Sequence, residues 1–134
     1  MLIKNVSFTS LGPTTAIAKT LAGVRAKIQT QNNAGRVIAV LEPRSNTMKS
    51  GVHSSTLPAA FDAADFVFLY QDEKLGWSVE EMALACQPPC IVENKIVTLI
   101  EKIVEEVKQG DIVVIMSNGG FSGIHDRLLA ALQA

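Results

Sequence analysis

The chain has 134 residues, of which 48% are hydrophobic and 19% charged, and its formal net charge is -1. This length fits one ordinary domain, and the hydrophobic content excludes a disordered chain. The balanced charge offers no electrostatic basis for binding nucleic acid or an anionic membrane. The longest apolar runs are far shorter than the ~20 residues that span a bilayer, and no signal peptide is recognisable. We therefore predict a soluble, cytoplasmic domain, 1–134, with small-molecule or protein partners.

The first half of the chain alternates between strand and helix patterns, as α/β domains do. Residues 3–8 predict a first strand, and a helix is expected over about 14–28 with Thr14 as its N-cap. Residues 36–41 are almost entirely apolar, which is typical of a strand covered on both faces. The expected inner face of the helix consists of Ile17, Leu21, Val24 and Ile28.

A second, short helix is expected after Ser54 and Ser55, with Pro58 in its first turn. The strand 66–70 follows, and Ser78 is expected to cap another short helix that runs through Cys86, with Val79, Met82 and Ala83 on its inner face. The inner face of the helix after Ser54 and Ser55 is expected to carry Leu57, Ala60, Phe61 and Ala64.

The last part of the chain contains a short strand, 90–92, and the clearest helical pattern of the sequence. Asn94 is expected to cap that helix and Gly110 to follow its end as the C′ residue. A buried strand, 111–116, and a final helix complete the pattern. We predict a Rossmann-like three-layer sandwich, with a mostly parallel sheet of about six strands and helices on both faces. The inner face of the helix after Asn94 is expected to carry Ile96, Leu99, Ile100, Ile103, Val104 and Val107, and that of the final helix Ile124, Leu128, Ala131 and Leu132.

The two cysteines, Cys86 and Cys90, flank two prolines at a spacing that matches neither C-x-x-C redox motifs nor four-ligand zinc sites. We interpret them as ordinary thiols and predict no metal site.

Two polar segments are candidate binding loops, because each follows a buried strand whose carboxyl end should face the ligand crevice of a parallel sheet. The first, 42–51, combines a guanidinium, an ammonium, an amide and hydroxyl groups, which suit a carboxylate or phosphate. A capped, solvated connection is the alternative interpretation.

The second loop, 117–125, is rich in glycine and precedes a helix N-terminus, a combination that favours an anion. Its alternative interpretation is a tight turn that needs glycine only for its backbone dihedrals. His125 could contact a ligand there or bond within the helix. We interpret His53 as a solvated loop residue.

Several catalytic motifs are missing from the sequence. It has no G-x-G-x-x-G dinucleotide fingerprint, no G-x-x-x-x-G-K-[ST] phosphate loop, no G-x-S-x-G elbow and no H-E-x-x-H metal site. The chain alone therefore has no recognisable ATP site.

The two loops resemble a known family. The stretches 40–49 (VLEPRSNTMK) and 116–125 (MSNGGFSGIH) are similar to the C-terminal domain of the Mur ligases, and most similar to the members that attach a murein tripeptide. The resemblance extends from about Arg36 to the C-terminus and includes Ala64-Asp65 and Trp77.

This resemblance implies that the chain is the third domain of a three-domain ligase. Such an enzyme uses ATP and Mg²⁺, held mainly by its central domain, to join L-Ala-γ-D-Glu-meso-diaminopimelate to UDP-N-acetylmuramate, which its first domain holds, in peptidoglycan recycling. The isolated domain is then expected to be inactive, to bind no cofactor by itself and to be a monomer.

The resemblance also assigns roles to residues. It implies that Arg44 and Lys49 meet carboxylates of the tripeptide and that the second loop forms the opposing wall of the site. No catalytic residue and no metal ligand is expected within the chain. The complete set of implied substrate-binding residues is Arg44, Ser45, Asn46, Thr47, Lys49, Ser117, Asn118, Gly119, Gly120 and His125.

The sequence departs from the family near its start, where 8–14 lacks the acidic and histidine residues of the usual D-D-x-A-H-H-P type motif. Ser122, where glycine is common, is a smaller change. Two alternatives therefore stay open: a non-catalytic Rossmann-like module that binds a small molecule, and the C-terminal domain of a Mur ligase that adds a single amino acid.

Overall fold

The structure is a computed structural model of the chain. The structure describes residues 2–7, 13–30, 35–42, 57–71, 79–108, 110–117 and 123–133.

Five strands and five helices alternate along the described parts of the chain. The strands are β1 (Leu2–Ser7), β2 (Val37–Glu42), β3 (Phe66–Tyr70), β4 (Cys90–Glu93) and β5 (Ile112–Ser117). The helices are α1 (Pro13–Thr30), α2 (Leu57–Ala60), α3 (Val79–Ala85), α4 (Ile96–Glu106) and α5 (Ile124–Gln133).

The strands form one sheet in the order β1-β5-β2-β3-β4, and every pairing within it is parallel. The predicted α/β class and parallel sheet are confirmed. The prediction of about six strands is wrong, because the described residues form a sheet of five. Each of these five coincides with one of the strand-like stretches of the sequence, and no sixth stretch had been located.

Helices cover both faces of the sheet, as predicted. On one face, α1 and the segment from α2 to Ala64 pack on β2, β3 and β5 through Ile17, Leu21, Phe61 and their neighbours. On the other face, α4 and α5 pack on the same strands through Leu99, Ile103, Ile124 and Leu128. Because β2 and β5 are central and covered on both sides, their side chains are buried without alternation, which explains their continuous apolar sequences.

The predicted inner faces of the long helices are largely confirmed. Ile17, Leu21, Val24 and Ile28 of α1 are all buried, and so are Leu99, Ile100 and Ile103 of α4. Their spacing of three and four residues places them on one side of a helix, and burial of that side is what holds the helix on the sheet. The side chains of Leu57, Val79 and Met82 lie outside the described residues, as do Ser54, Ser55 and Ser78.

Three predictions of helix ends are wrong. Helix α1 begins at Pro13, whose fixed φ suits a first turn, so Thr14 lies inside the helix. The N-cap of α4 is Lys95, not Asn94, and it has extended backbone angles and makes no side-chain capping bond. Gly110 is not a C′ residue, because α4 already ends at Glu106 and Gly110 adopts a positive φ of 93° in the turn before β5.

Two aspartates fix the amino end of β2 between its neighbours. Asp65 Oδ2 accepts a hydrogen bond of 2.8 Å from the backbone N–H of Val37 and also contacts the guanidinium of Arg25 at 2.5 Å. Asp111 Oδ1 accepts one of 3.1 Å from the backbone N–H of Arg36. These bonds join β2 to the segments that lead into β3 and β5, so they help to set the register of the sheet.

Asp111 is one of the two charged residues that are buried among the described residues, and it forms an ion pair with Arg36. Asp111 is 3% exposed, and its Oδ2 accepts hydrogen bonds of 2.9 Å from the Arg36 guanidinium and from the backbone N–H of Lys108. Burial alone would raise the pKa of Asp111, but these hydrogen bonds outweigh it and hold that pKa below its usual value. The hydrogen bond to Asp111 correspondingly raises the pKa of Arg36.

Among the described residues, no helix combines the length and the apolar character that crossing a membrane requires.

Candidate functional site at the carboxyl edge of the sheet

The two candidate loops leave the sheet from adjacent positions. In the parallel pairing of β2 with β5, Glu42 and Ser117 are register partners, and each is the last residue of its strand. Adjacent strands in a sheet lie about 4.8 Å apart. The segments that begin at residues 43 and 118 therefore start side by side, as the sequence analysis required.

The chain then diverges from this point to opposite faces of the sheet. After β2 it continues to α2, which packs in the cluster with Ile17 and Phe61, whereas after β5 it continues to α5, which packs in the cluster with Leu99 and Leu128. When neighbouring strands send their connections to opposite faces, a crevice opens between the connections, and open α/β sheets bind their ligands there. We call this place, at the ends of β2 and β5, the switch-point crevice.

The end of β1 borders the same crevice. Ser7 is the register partner of Ser117 on the other side of β5, and its strand leads to α1 on the face opposite α5. The segment 8–14, which departs from the Mur ligase motif, consequently starts one strand away from the second loop.

Glu42 is a buried carboxylate at the crevice, with 2% of its surface exposed, and it is not among the site residues predicted from the sequence. Its position had been assigned to the start of the polar loop, whereas the structure places it as the last residue of the buried strand. The sequence did contain a signal for Glu42, because it directly continues an apolar strand. Carboxylates are rarely buried without a specific reason, so a glutamate at such a position is a candidate functional residue.

The second loop ends at the first turn of α5. Gly123 has a φ of 67°, a left-handed conformation that glycine adopts without strain, which explains why a glycine precedes this helix. His125 is partly buried, and its Nδ1 lies 3.6 Å from Oδ1 of Asp126 in the same turn. His125 thus has a carboxylate beside it, and its contact with a ligand stays a prediction.

Two of the predicted site residues, Ser117 and His125, lie within the described part of the chain. For Ser117 the backbone is described, at the crevice, and His125 is described in full. The remaining candidates lie outside the described residues, as do His53 and Ser122: Arg44, Ser45, Asn46, Thr47, Lys49, Asn118, Gly119 and Gly120.

Two open hollows lie elsewhere on the described surface. One, of about 380 Å³, is lined by Phe66, Ile91 and Lys102 with Glu105 and Glu106. The other, of about 330 Å³, lies between α4 and α5 beside Glu101 and Glu105. The glutamates that border both hollows disfavour an anionic ligand, so neither competes with the crevice as a carboxylate site.

Sequence and structure comparisons relate the chain to known ligases. No family model matches the chain. A curated relative, the UDP-N-acetylmuramate–L-alanyl-γ-D-glutamyl-meso-2,6-diaminoheptandioate ligase of Escherichia coli strain K12, is 45% identical over 118 residues, which are 88% of this chain and 25% of the relative. A solved domain assigned to such a ligase from Haemophilus ducreyi is 35% identical, with a TM-score of 0.76, over 97% of this chain and 89% of that domain.

The chain belongs to this family of ligase domains. The crystal structure of a murein peptide ligase from Psychrobacter arcticus agrees: it is 37% identical, with a TM-score of 0.78, over 97% of this chain and 27% of its own. The chain therefore spans about a quarter of the length of the curated relatives that it matches.

Membership of the murein peptide ligase domain family confirms the resemblance that the two loop motifs indicated. It also agrees with the fold, since both solved relatives align with nearly all of this chain.

Proposed function

We propose that this chain is the C-terminal, peptide-binding domain of an ATP-dependent ligase that joins L-Ala-γ-D-Glu-meso-diaminopimelate to UDP-N-acetylmuramate. The observation that carries the proposal is the register pairing of Glu42 with Ser117, which starts both family motifs side by side at one crevice. The names of the relatives supply the substrate class, since they contain both the muramate and the tripeptide.

In this proposal the crevice holds the incoming peptide by its carboxylates. Arg44 and Lys49, two and seven residues beyond the end of β2, supply the positive charge, and the planar fork of Arg44 suits a bidentate carboxylate contact. Ser45, Asn46 and Thr47 supply orienting hydrogen bonds. The opposing wall consists of Ser117, Asn118, Gly119, Gly120 and His125.

The chemical contribution of such a domain is orientation. An amine that attacks an activated carboxyl group must be held within about 3.5 Å of the carbon, and fixing it there lowers the entropic part of the barrier. Domain closure over the other substrates, as in other ligand-closed enzymes, would bring the held amine to that carbon.

ATP and Mg²⁺ are assigned to the remainder of a longer ligase. The sequence contains no phosphate loop, and among the described residues no three His, Cys, Asp or Glu side chains form a group able to hold a metal ion. The chain spans about a quarter of the curated relatives, which supports a longer enzyme. The family resemblance supplies the further assignment, a three-domain enzyme whose first domain holds the UDP-sugar. We propose that this enzyme is cytoplasmic, because its substrates are soluble nucleotides and peptides, and that it is a monomer.

Binding by the 134-residue chain tests the assignment directly. In a titration with the free tripeptide, followed by backbone amide NMR, we expect the largest shift changes at residues flanking the crevice, such as Glu42, Ser117 and Ile124. Amides at the opposite edge, such as Val37 and Ile112, should not move. L-Alanine should cause no comparable changes, whereas a domain that accepts a single amino acid would respond to it.

Variants separate carboxylate recognition from general charge. Arg44→Ala should weaken tripeptide binding at least tenfold, the loss of about 1.5 kcal/mol expected for one charge-assisted hydrogen bond, and Arg44→Lys should recover only part of it. Lys19→Ala removes a cation from an exposed position on α1 and serves as the control. Equal affinities in wild type and Arg44→Ala would contradict the substrate assignment.

A chimera tests the reaction. If this chain replaces the matching quarter of the Escherichia coli relative, the product should form the amide only when ATP, UDP-N-acetylmuramate and tripeptide are all present. A folded chimera that binds ATP but gives no amide would support the alternative of a non-catalytic binding module, for which the unusual segment 8–14 is the principal argument.

A further inference from the structure

The two cysteines of the chain meet at the edge of the sheet opposite the switch-point crevice. Cys86 directly follows the last residue of α3, and Cys90 is the first residue of β4. Both are thiols, both are partly buried, and both pack against the same hydrophobic cluster on the α1 face. A hydrogen bond between the two thiols is the largest cause of the pKa shift of each.

The short segment between them is held at both ends. The backbone N–H of Cys86 bonds to the carbonyl of Ala83 at 3.2 Å, and the carbonyl of Pro89 accepts a bond of 2.9 Å from Val67 in β3. Pro88 is buried, and the two proline rings restrict φ of the connection. The fold therefore presents the thiols to each other in a fixed arrangement, which a flexible five-residue segment would not do.

We propose that Cys86 and Cys90 form a vicinal dithiol site that closes reversibly to an intramolecular disulfide by exchange with a small disulfide such as oxidised glutathione. The proposal is independent of the ligase assignment, because these residues lie at the opposite edge of the sheet from the crevice.

The thiols have distinct parts in the exchange. The Cys90 thiol donates its hydrogen bond to Cys86, which lowers the pKa of Cys86, although burial and the charge of Asp62 oppose this effect. The same hydrogen bond, together with burial, raises the pKa of Cys90. Cys86 is thus the thiolate that attacks first, since the thiolate is the reactive form.

The chemistry balances with the small disulfide as the oxidant. The Cys86 thiolate attacks one sulfur of glutathione disulfide, forms a mixed disulfide and releases one glutathione thiolate. Cys90 then loses its proton to solvent or to that thiolate, attacks Sγ of Cys86 and displaces the second glutathione. The protein loses two electrons and two protons, and the glutathione disulfide gains them as two thiols.

The test uses the reduced chain in graded mixtures of reduced and oxidised glutathione, quenched with acid and examined by intact mass and by thiol titration after denaturation. We expect the native chain to lose two hydrogen atoms in mass and both thiols together. The same mixtures in urea measure how readily the two thiols form a disulfide in the unfolded chain. The effective thiol concentration should be at least about tenfold higher in the native chain than in urea, because the fold fixes the thiols together.

Single variants identify the order of attack. Cys90→Ser should accumulate a stable glutathione adduct on Cys86, and Cys86→Ser should acquire its adduct on Cys90 at least about tenfold more slowly. Circular dichroism melting curves of both variants report whether the fold is retained. The proposal is overturned if the native wild-type chain keeps both thiols, carries two glutathione adducts, or closes no more readily than in urea. These wild-type results do not depend on the folding of any variant.

Discussion

Replacing Asp111 with asparagine should destabilise the fold much more than the same replacement at an exposed aspartate. Asp111 accepts hydrogen bonds from two backbone N–H groups and from the Arg36 guanidinium, at 2.9 to 3.1 Å, and is almost completely buried. Asparagine keeps one acceptor oxygen and turns an N–H donor toward these donors. Breaking a fully buried ion pair costs about 3–5 kcal/mol. The Arg36 side chain is 32% exposed and can be rehydrated, so we expect about 2 kcal/mol.

Urea unfolding at neutral pH, followed by circular dichroism, measures this difference. Asp62→Asn is the matched control, because Asp62 is exposed and the change in charge is identical. Exposed substitutions typically change stability by less than about 0.5 kcal/mol. If Asp111→Asn and Asp62→Asn shifted the free energy of unfolding equally, the account of how β2 is anchored would be wrong.

The difference in stability between the wild type and Asp111→Asn should depend on pH. The folded pKa of Asp111 lies below its unfolded value of about 3.9, so the native state favours the ionised form. Its contribution to stability is complete above the unfolded pKa and is lost as the pH falls through the folded pKa. The stability gap between wild type and Asp111→Asn should therefore be constant from pH 7 to about 5 and narrow below about 4. A gap that widened on acidification would contradict this assignment.

Three further substitutions test the packing and the backbone. Phe68→Ala should cost about 3–5 kcal/mol in urea unfolding, because the ring is fully buried in the cluster that contains Leu99 and Ile103 of α4 and lies 4.9 Å from that of Phe66. Gly123→Ala should cost about 1 kcal/mol, since the new Cβ meets no atom within 4 Å and only the positive φ is unfavourable; a loss above about 3 kcal/mol would refute this. Leu84→Gln should change the midpoint of urea unfolding negligibly, because Leu84 is 88% exposed. A large shift of that midpoint would mean that the Leu84 side chain is covered and not exposed.

The elements that the sequence predicted best are those whose pattern reports burial. The all-apolar stretches of β2 and β5 and the helical spacing of α4 were recognisable because both faces of a central strand and one face of a helix are removed from water. The helix caps at Thr14 and Asn94 were predicted wrongly for a different reason. Capping depends on the local backbone angles, and several neighbouring residue types can satisfy the same N–H groups.

The candidate site could be predicted only in part from the sequence. Two polar loops after two buried strands indicated a crevice, but their adjacency depends on the strand order, which places β5 between β1 and β2. No local pattern encodes that order. Glu42 was missed because the predicted strand ends at residue 41, one residue before the observed end, so a buried strand residue was counted as a loop residue. Side chains at a strand end can change from buried to exposed over a single position.

The anchoring carboxylates lie at the amino end of β2 and the crevice lies at its carboxyl end, and this arrangement links the stability of the fold to the geometry of the site. Asp65 and Asp111 hold the amino end of β2 against the segments leading into β3 and β5, and the register set there places Glu42 beside Ser117. A strand that slipped by one residue would exchange its two buried faces and separate the starts of the two loops. Ala64-Asp65 therefore belongs to the family resemblance for a structural reason, although Asp65 lies at the opposite edge from the crevice. Accordingly, Asp65→Asn should weaken tripeptide binding only to the extent that it lowers the population of the folded chain.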